Sequence, residues 1–158
     1  MSKIVLLANG DAENEYLDYR NNELPQAGSD SFQANLFPLG KESLESWPHS
    51  YENLFEFKSK NEYEQYVRND PRFEMLFKEW STYRPKITIC FGKSEWPTFK
   101  SMFGLSNHIG HEYSRGCSIY PSKGIILCPF FGYRPNCMPS HRTRFIAQEA
   151  RKLLLMEK

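Results

Sequence analysis

The chain has 158 residues and a formal net charge of +1, which indicate one soluble globular domain with a single hydrophobic core. Apolar residues make up 40% of it and aromatic residues 15%, a composition that excludes a disordered chain. The near-neutral total conceals an asymmetry, because residues 1–80 carry 8 Lys+Arg and 15 Asp+Glu while residues 81–158 carry 12 and 4. A polyanionic partner that binds the basic half is therefore compatible with this composition.

The sequence shows no targeting signal, and this, together with the spacing of its cysteines, narrows the class of protein further. No apolar run approaches the ~20 residues that a bilayer-spanning helix needs, and the first apolar stretch is too short, and its sequel too acidic, for a signal peptide. We therefore expect a cytoplasmic protein without a membrane partner. No Cys-x-x-Cys pair is present, so we expect free thiols and no metal or cofactor, the cysteines being Cys90, Cys117, Cys128 and Cys137.

The first half of the chain predicts two strands and two helices. A buried strand is expected over residues 3–8 and ends at the turn signal Asn9-Gly10-Asp11. A surface connection follows over residues 11–31, then a short strand over residues 31–35. After a weak helix over residues 61–68, Asp70 and Pro71 begin a second helix whose apolar positions fall on one face, namely Phe73, Leu76, Phe77 and Trp80.

The second half predicts two strong strands and two helices. Residues 86–91 form the clearest strand, followed by the turn Gly92-Lys93-Ser94 and a helix over residues 94–103 that Ser94 caps. Residues 104–123 are polar and are expected to be irregular. A strand over residues 124–129 and a loop over residues 130–139 lead to a closing helix with Ser140 as its cap and an apolar stripe, namely Ile146, Ala150, Leu153 and Leu154.

Strands that alternate with helices predict an α/β fold, specifically a three-layer α/β/α sandwich with a short, mostly parallel sheet in one domain over residues 1–158. In such sheets the loops after the carboxyl ends of the strands build the site. We therefore expect function in residues 9–11, 35–41, 92–94 and 130–141.

Three of these loops contain side chains suited to nucleotide chemistry. The carboxamide of Asn35 offers a donor and an acceptor for the edge of a base, although an Asn that bonds its own loop is the alternative. The Gly92-Lys93-Ser94 turn suits a phosphate, and an ordinary strand–helix turn explains it equally well. Residues 130–144 combine aromatics, His141 and three Arg at a helix start, which favours an anion site over a set of core aromatics and solvated Arg.

The histidines indicate a metal site less strongly than these loops indicate a site for a nucleotide or a phosphate. His108 and His111 are followed by Cys117, but this spacing matches no common zinc motif and a fourth ligand is lacking.

Three motifs recur together in a known family. Asn35-Leu36-Phe37-Pro38-Leu39-Gly40 is followed by a strand ending in Gly92-Lys93-Ser94 and by a loop with Met138-Pro139-Ser140-His141. Over residues 31–155 this order resembles the uracil-DNA glycosylase superfamily. The resemblance implies a small parallel-sheet α/β/α domain that flips a damaged base such as uracil out of DNA and hydrolyses its N-glycosidic bond in base excision repair.

The resemblance also implies roles for individual residues. Asn35 would recognise the base and Phe37 would stack on it. His141 would stabilise the leaving base and Asp11 would guide the attacking water. Contacts to DNA phosphates would come from the basic half and the late loop, namely Lys93, Ser94, Arg134, Ser140 and Arg142.

Two other functions stay open beside the glycosylase. The family's first motif is incomplete here, because its Pro is missing and only 25 residues separate Gly10 from Asn35. This departure favours a non-catalytic protein of the same fold that binds nucleic acid or a nucleotide. A small α/β enzyme acting on a nucleotide or phosphorylated metabolite is the third hypothesis, since a fold does not fix a reaction. The sequence defines neither the oligomeric state nor the base.

Overall fold

The computed structural model of the chain describes residues 2–11, 16–22, 31–39, 46–69, 71–113, 116–130 and 140–156. Its contacts divide the chain into two compact units. The larger unit consists of Met1–Phe32 and Pro85–Lys158, and the smaller unit of Gln33–Arg84. The single domain over residues 1–158 stays a prediction.

The described elements are helices in both units and one sheet in the larger unit. The larger unit contains helices α1 (Ser2–Asn9), α2 (Tyr16–Asn22), α6 (Trp96–Met102) and α7 (Ser140–Leu155). Its strands are β1 (Thr88–Phe91), β2 (His111–Tyr113), β3 (Cys117–Tyr120) and β4 (Ile125–Cys128). The smaller unit contains helices α3 (His49–Phe55), α4 (Lys60–Asn69) and α5 (Pro71–Tyr83).

The sheet is mixed, so the prediction of a mostly parallel sheet is wrong. The strand order is β1-β4-β3-β2; β1 and β4 are parallel, whereas β3 is antiparallel to both β4 and β2. The error comes from residues 104–123, which were predicted to be irregular and contain β2 and β3. A 3-10 turn over Pro121–Lys123 joins β3 to β4, and a connection this short permits only an antiparallel pair. The coarser prediction of an α/β fold is confirmed.

The first segment is a helix, and the prediction of a strand over residues 3–8 is wrong. Ile4, Leu7 and Ala8 follow helical spacing and face the core of the larger unit. A short apolar run does not distinguish a strand from a buried helix, and Leu and Ala favour the helix. Gly10 then adopts φ +96°, and its N–H donates to the Leu6 carbonyl over 3.0 Å, which ends α1 in a left-handed cap.

The core of the larger unit lies between one face of the sheet and two helices. Helices α1 and α7 supply Ile4, Ala8, Ile146, Ala147 and Ala150, and strands β3 and β4 supply Cys117, Ile119, Ile126 and Cys128. All nine side chains are buried. The predicted strands at residues 86–91 and 124–129 and the predicted closing helix are confirmed, with Leu153 and Leu154 packed against this core.

The smaller unit is helical and is held together by aromatic side chains. The two predicted helices are confirmed as α4 and α5, but residues 31–35 form no strand. Tyr63 of α4 is 3% exposed, and three aromatic rings lie within 6.2 Å of its ring centre, namely Phe37, Trp47 and Phe57. The smaller unit contains no strand in its described residues.

None of the described helices is long and apolar enough to cross a membrane.

A substitution of Gly124, which directly precedes β4, tests the turn between β3 and β4 that makes the sheet mixed. The φ of Gly124 is +64°, and a Cβ there would clash with the Lys86 carbonyl oxygen. We expect Gly124→Ala to lower the free energy of unfolding by about 2–5 kcal/mol, since left-handed strain and a backbone clash add. Urea denaturation measures this.

Gly104→Ala is the matched control for that experiment. Gly104 has φ +61° but no atom within 4 Å of an added Cβ, so only the conformational cost of about 1–2 kcal/mol applies. Equal losses of unfolding free energy in Gly124→Ala and Gly104→Ala would contradict the close approach of Gly124 to the Lys86 carbonyl.

Candidate functional site

The parallel pair of strands brings two predicted loops to the same end of the sheet. Phe91 and Cys128 are register partners at the carboxyl ends of β1 and β4. The Gly92 N–H donates to the Cys128 carbonyl over 3.0 Å, and the Trp96 indole N–H donates to the same carbonyl over 3.4 Å. The Lys93–Ser94 turn and the chain that leads to α7 therefore leave the sheet at one end, as the rule for parallel strands predicts.

The turn that follows β1 differs from the prediction in one detail. Ser94 does not cap a helix; residues Lys93–Glu95 form a 3-10 turn and α6 begins after Glu95, which makes no side-chain cap bond. The Glu95 carboxylate instead accepts a hydrogen bond from the Thr98 hydroxyl over 3.2 Å. Gly92 opens the turn with φ +109°, a conformation that other residues rarely adopt.

The first two of the three polar side chains of this turn reach solvent, and the third, Glu95, is half-buried. Lys93 and Ser94 are exposed. The Lys93 Nζ lies 5.8 Å from the centre of the Trp96 ring, within the range of a cation–π contact. The turn thus presents a cation and a hydroxyl beside an aromatic ring. Trp96 was not among the predicted site residues, although its spacing of three from Lys93 is a usable signal.

The beginning of α7 lies at the same end of the sheet. The Phe145 ring packs 5.2 Å from that of Tyr113, at the end of β2. Tyr113 pairs with Cys117 of β3, and the register of β3 against β4 continues to Cys128. One row of residues across the sheet therefore connects the start of α7 to the end of β1, beside the Lys93 turn.

The first turns of α7 are strongly basic. His141 and Arg144 are exposed and Arg142 is half-buried, and the first turn contains no acidic residue. The Nε of Arg142 is buried and has no hydrogen-bond partner among the residues that the structure describes. Arg134 and the side chain of Ser140 lie outside the described residues, so their predicted phosphate contacts stay predictions.

Further along α7, one carboxylate is buried. Glu149 is 8% exposed and forms an ion pair with Lys152. The hydrogen bond that the Lys152 ammonium donates to the Glu149 carboxylate raises the pKa of Lys152. This pair satisfies the charge of Glu149 within its own helix, so Glu149 is a structural group.

Asp11 follows a helix end, since the predicted first strand is helix α1. Its N–H donates to the Leu6 carbonyl over 2.9 Å and completes the cap of α1, while its side chain is exposed. The Arg151 guanidinium lies against Gly10, where an added Cβ would be 2.8 Å from it. A cation at this position is favourable because the carbonyl end of a helix carries partial negative charge.

Asn35 and Phe37 belong to the smaller unit, whereas the other described site candidates belong to the larger unit. The Asn35 carbonyl accepts hydrogen bonds from Nε and Nη2 of Arg72, at 3.2 and 2.5 Å. Its side chain is exposed. The Phe37 ring is half-buried between the Tyr63 ring, at 6.2 Å, and the Arg68 guanidinium, at 5.1 Å. Phe37 therefore has a packing role that its sequence context did not indicate.

The histidines near β2 do not assemble a metal site with Cys117. His108 Nδ1 lies 3.4 Å from the Ser122 hydroxyl, and His111 pairs in register with Ile119 rather than with Cys117. Among the residues that the structure describes, no three His, Cys, Asp or Glu side chains are grouped closely enough to hold a metal ion.

Comparisons with known proteins identify no relative of this chain: it matches no family model, and neither curated proteins nor solved structures show significant similarity to it.

The Tyr63 hydroxyl gives a prediction for the smaller unit. It accepts a hydrogen bond from the Leu39 N–H over 3.2 Å, and burial raises the pKa of Tyr63 above 10.0. We expect Tyr63→Phe to lower the free energy of unfolding by about 1–2 kcal/mol near pH 8, because the Leu39 donor loses its partner.

The same group predicts a pH dependence. Since folding raises the Tyr63 pKa, its contribution to stability is complete below about pH 10 and is lost as the pH rises through the folded pKa. The difference between wild type and Tyr63→Phe should therefore shrink in alkaline urea titrations. Tyr83→Phe is the control, because Tyr83 is 78% exposed and should leave stability unchanged. A constant difference from pH 8 to pH 11 would contradict the raised pKa.

Proposed function

We propose that this chain is a nucleic-acid-binding protein whose phosphate contacts lie at the carboxyl end of the parallel strands. The observation that carries the proposal is the bond between the Gly92 N–H and the Cys128 carbonyl, which joins the ends of β1 and β4. Lys93 and Ser94 follow the first of these strands, and the basic start of α7 follows the second. Backbone phosphates are the ligands that such a combination of cations, hydroxyl and helix start favours.

The electrostatics of α7 support an anionic partner. The amino end of a helix carries partial positive charge, so cations there are unfavourable unless an anion binds nearby. Arg142 and Arg144 lie in the first two turns of α7, with no acidic residue in the first. The buried Arg142 Nε has no acceptor within the described part of the chain. A phosphate would relieve the repulsion and accept hydrogen bonds.

The Lys93 turn supports a polymeric partner over an isolated phosphate. Its ammonium lies over the Trp96 ring. Cations beside aromatic rings are typical of surfaces along which a nucleic-acid strand passes, with phosphates on the cation and bases on the ring. The proposal keeps the expectations of a cytoplasmic protein and of a three-layer α/β/α sandwich around the sheet, and it commits to no oligomeric state.

Lys93→Ala tests this binding surface. We expect weaker binding of a fluorescein-labelled DNA oligonucleotide, and a slope of log K against log salt that falls by about 0.7 for a single strand or about 0.9 for a duplex. The reason is the loss of one phosphate contact with its released counterion. Fluorescence anisotropy at several salt concentrations measures both quantities.

Lys86→Ala is the matched control, since Lys86 is an exposed lysine just before the opposite end of β1. It removes the same charge from the larger unit, and the slope should stay at the wild-type value. The binding proposal is wrong if the wild-type protein fails to bind DNA at low salt, or if both variants change the slope equally.

Base excision is a second candidate function, favoured by the exposed side chains of Asn35 and His141. The resemblance to uracil-DNA glycosylases assigns the base-reading and leaving-group roles to Asn35 and His141, and both side chains reach solvent. In this version of the proposal Asp11 guides the water and the phosphate contacts are those given above.

A panel of oligonucleotides with uracil and other damaged or mismatched bases tests the second candidate. We expect abasic sites to form, and Asn35→Ala to slow their formation about tenfold or more through loss of base recognition. His141→Ala should slow it by about 10²-fold or more.

Asn53→Ala, which changes an exposed Asn on α3 of the same unit as Asn35, should leave the rate unchanged. If no base on the panel is released while salt-dependent binding persists, base excision is excluded and the binding function stands.

A further inference from the structure

The larger unit contains two buried thiols on neighbouring antiparallel strands. Ser118 pairs with Leu127 and Ile119 with Ile126, and the next step of this register brings Cys117 opposite Cys128. Their residues are 1% and 0% exposed, and both belong to the same buried apolar cluster. From this juxtaposition we propose that Cys117 and Cys128 are an oxidisable pair that closes to a disulfide between β3 and β4.

The geometry of an antiparallel pair suits this bond. Directly opposed residues have Cα atoms about 4.5 or 5.5 Å apart, depending on the hydrogen-bond pattern. Both separations lie within the range of about 4.4–6.8 Å that disulfides span. Directly opposed residues of an antiparallel pair project their side chains from the same face of the sheet. The thiols of Cys117 and Cys128 are therefore neighbours in the same buried cluster.

The third described cysteine does not share this arrangement. Cys90 of β1 pairs with Leu127, while Cys128 pairs with Phe91, so Cys90 points to the opposite face of the sheet. Cys117 and Cys128 belong to the core beneath α1 and α7, and Cys90 does not. Cys90 is therefore a built-in control of the same residue type and similar burial.

Hydrogen peroxide is the oxidant that we consider. The first thiol gives up its proton, its thiolate sulfur attacks a peroxide oxygen and the O–O bond breaks, so that a sulfenic acid forms and the expelled hydroxide takes up that proton to become water. The sulfur of the second cysteine attacks the sulfenic sulfur, the S–S bond forms, and the hydroxyl leaves with the second thiol proton as water. The two thiols lose two electrons and two protons, and one peroxide becomes two waters.

Burial controls the rate of this reaction. Removal from water raises the pKa of Cys128, and of Cys90 to about 12, so the reactive thiolates are scarce in the closed fold. Peroxide reaches the pair only when the helices over this face separate from the sheet. We therefore expect oxidation to accelerate in urea concentrations below the unfolding transition, as local opening becomes more frequent.

The experiment treats the reduced full-length protein with hydrogen peroxide, alkylates it after denaturation and maps the cysteines by mass. Trypsin releases Cys117 in peptide 116–123, and chymotrypsin then cleaves at the aromatics of residues 130–133 to separate Cys128 from Cys137. We expect a link between Cys117 and Cys128 and a loss of two alkylated sites out of the four cysteines.

Three variants complete the design. Cys90→Ala should oxidise at the wild-type rate, whereas Cys117→Ala and Cys128→Ala should retain all remaining thiols. Circular dichroism checks their folding, and the wild-type map decides the question independently of them. A dominant link to Cys90 or Cys137, or a folded protein that stays reduced under conditions in which the urea-unfolded chain is oxidised, would overturn the proposal.

Discussion

The contact of α1 and α7 with one face of β3 and β4 is the interaction on which the larger unit depends. It buries apolar side chains of all four elements in one cluster, and burial of apolar surface is the main favourable contribution to folding. With α7 held there by Ile146 and Ala150, its basic first turns lie beside the row that ends in Phe91. The position of the candidate site thus follows from packing at residues that carry no charge.

The strongest periodic patterns in the sequence predicted the elements correctly. Strands β1 and β4 are mostly apolar, and helices α5 and α7 each have a long apolar stripe, whereas α4 was predicted from a weaker pattern. The failures fall on short segments. Residues 4–8 are all apolar, so their pattern alone does not distinguish a strand from a helix; the helix preference of Leu and Ala and the left-handed cap at Gly10 do. Strands β2 and β3 are three and four residues long, and β3 is recognisable only by its burial against α7.

The sequence predicted the location of some residues of the candidate site but not of others, and the strand directions explain the difference. The rule about carboxyl ends needs parallel strands, and it succeeded for Lys93 and the start of α7 because β1 and β4 are parallel. It failed for Asp11 and Asn35, because no described strand precedes either residue.

The charge asymmetry between the two halves of the sequence does not coincide with the two units of the structure. The acidic residues 1–32 belong to the larger unit together with most of the basic half. The larger unit therefore contains 13 Lys+Arg and 10 Asp+Glu.

The pairing of the first helix with the last has a consequence for synthesis of the chain. Helix α1 is synthesised well before α7, which lies more than 130 residues later and contributes to the burial of Ile4 and Ala8. The smaller unit, by contrast, is one continuous segment, Gln33–Arg84. Local contacts form quickly and distant ones slowly. The smaller unit can therefore fold during translation, while the apolar face of α1 stays uncovered until α7 emerges from the ribosome.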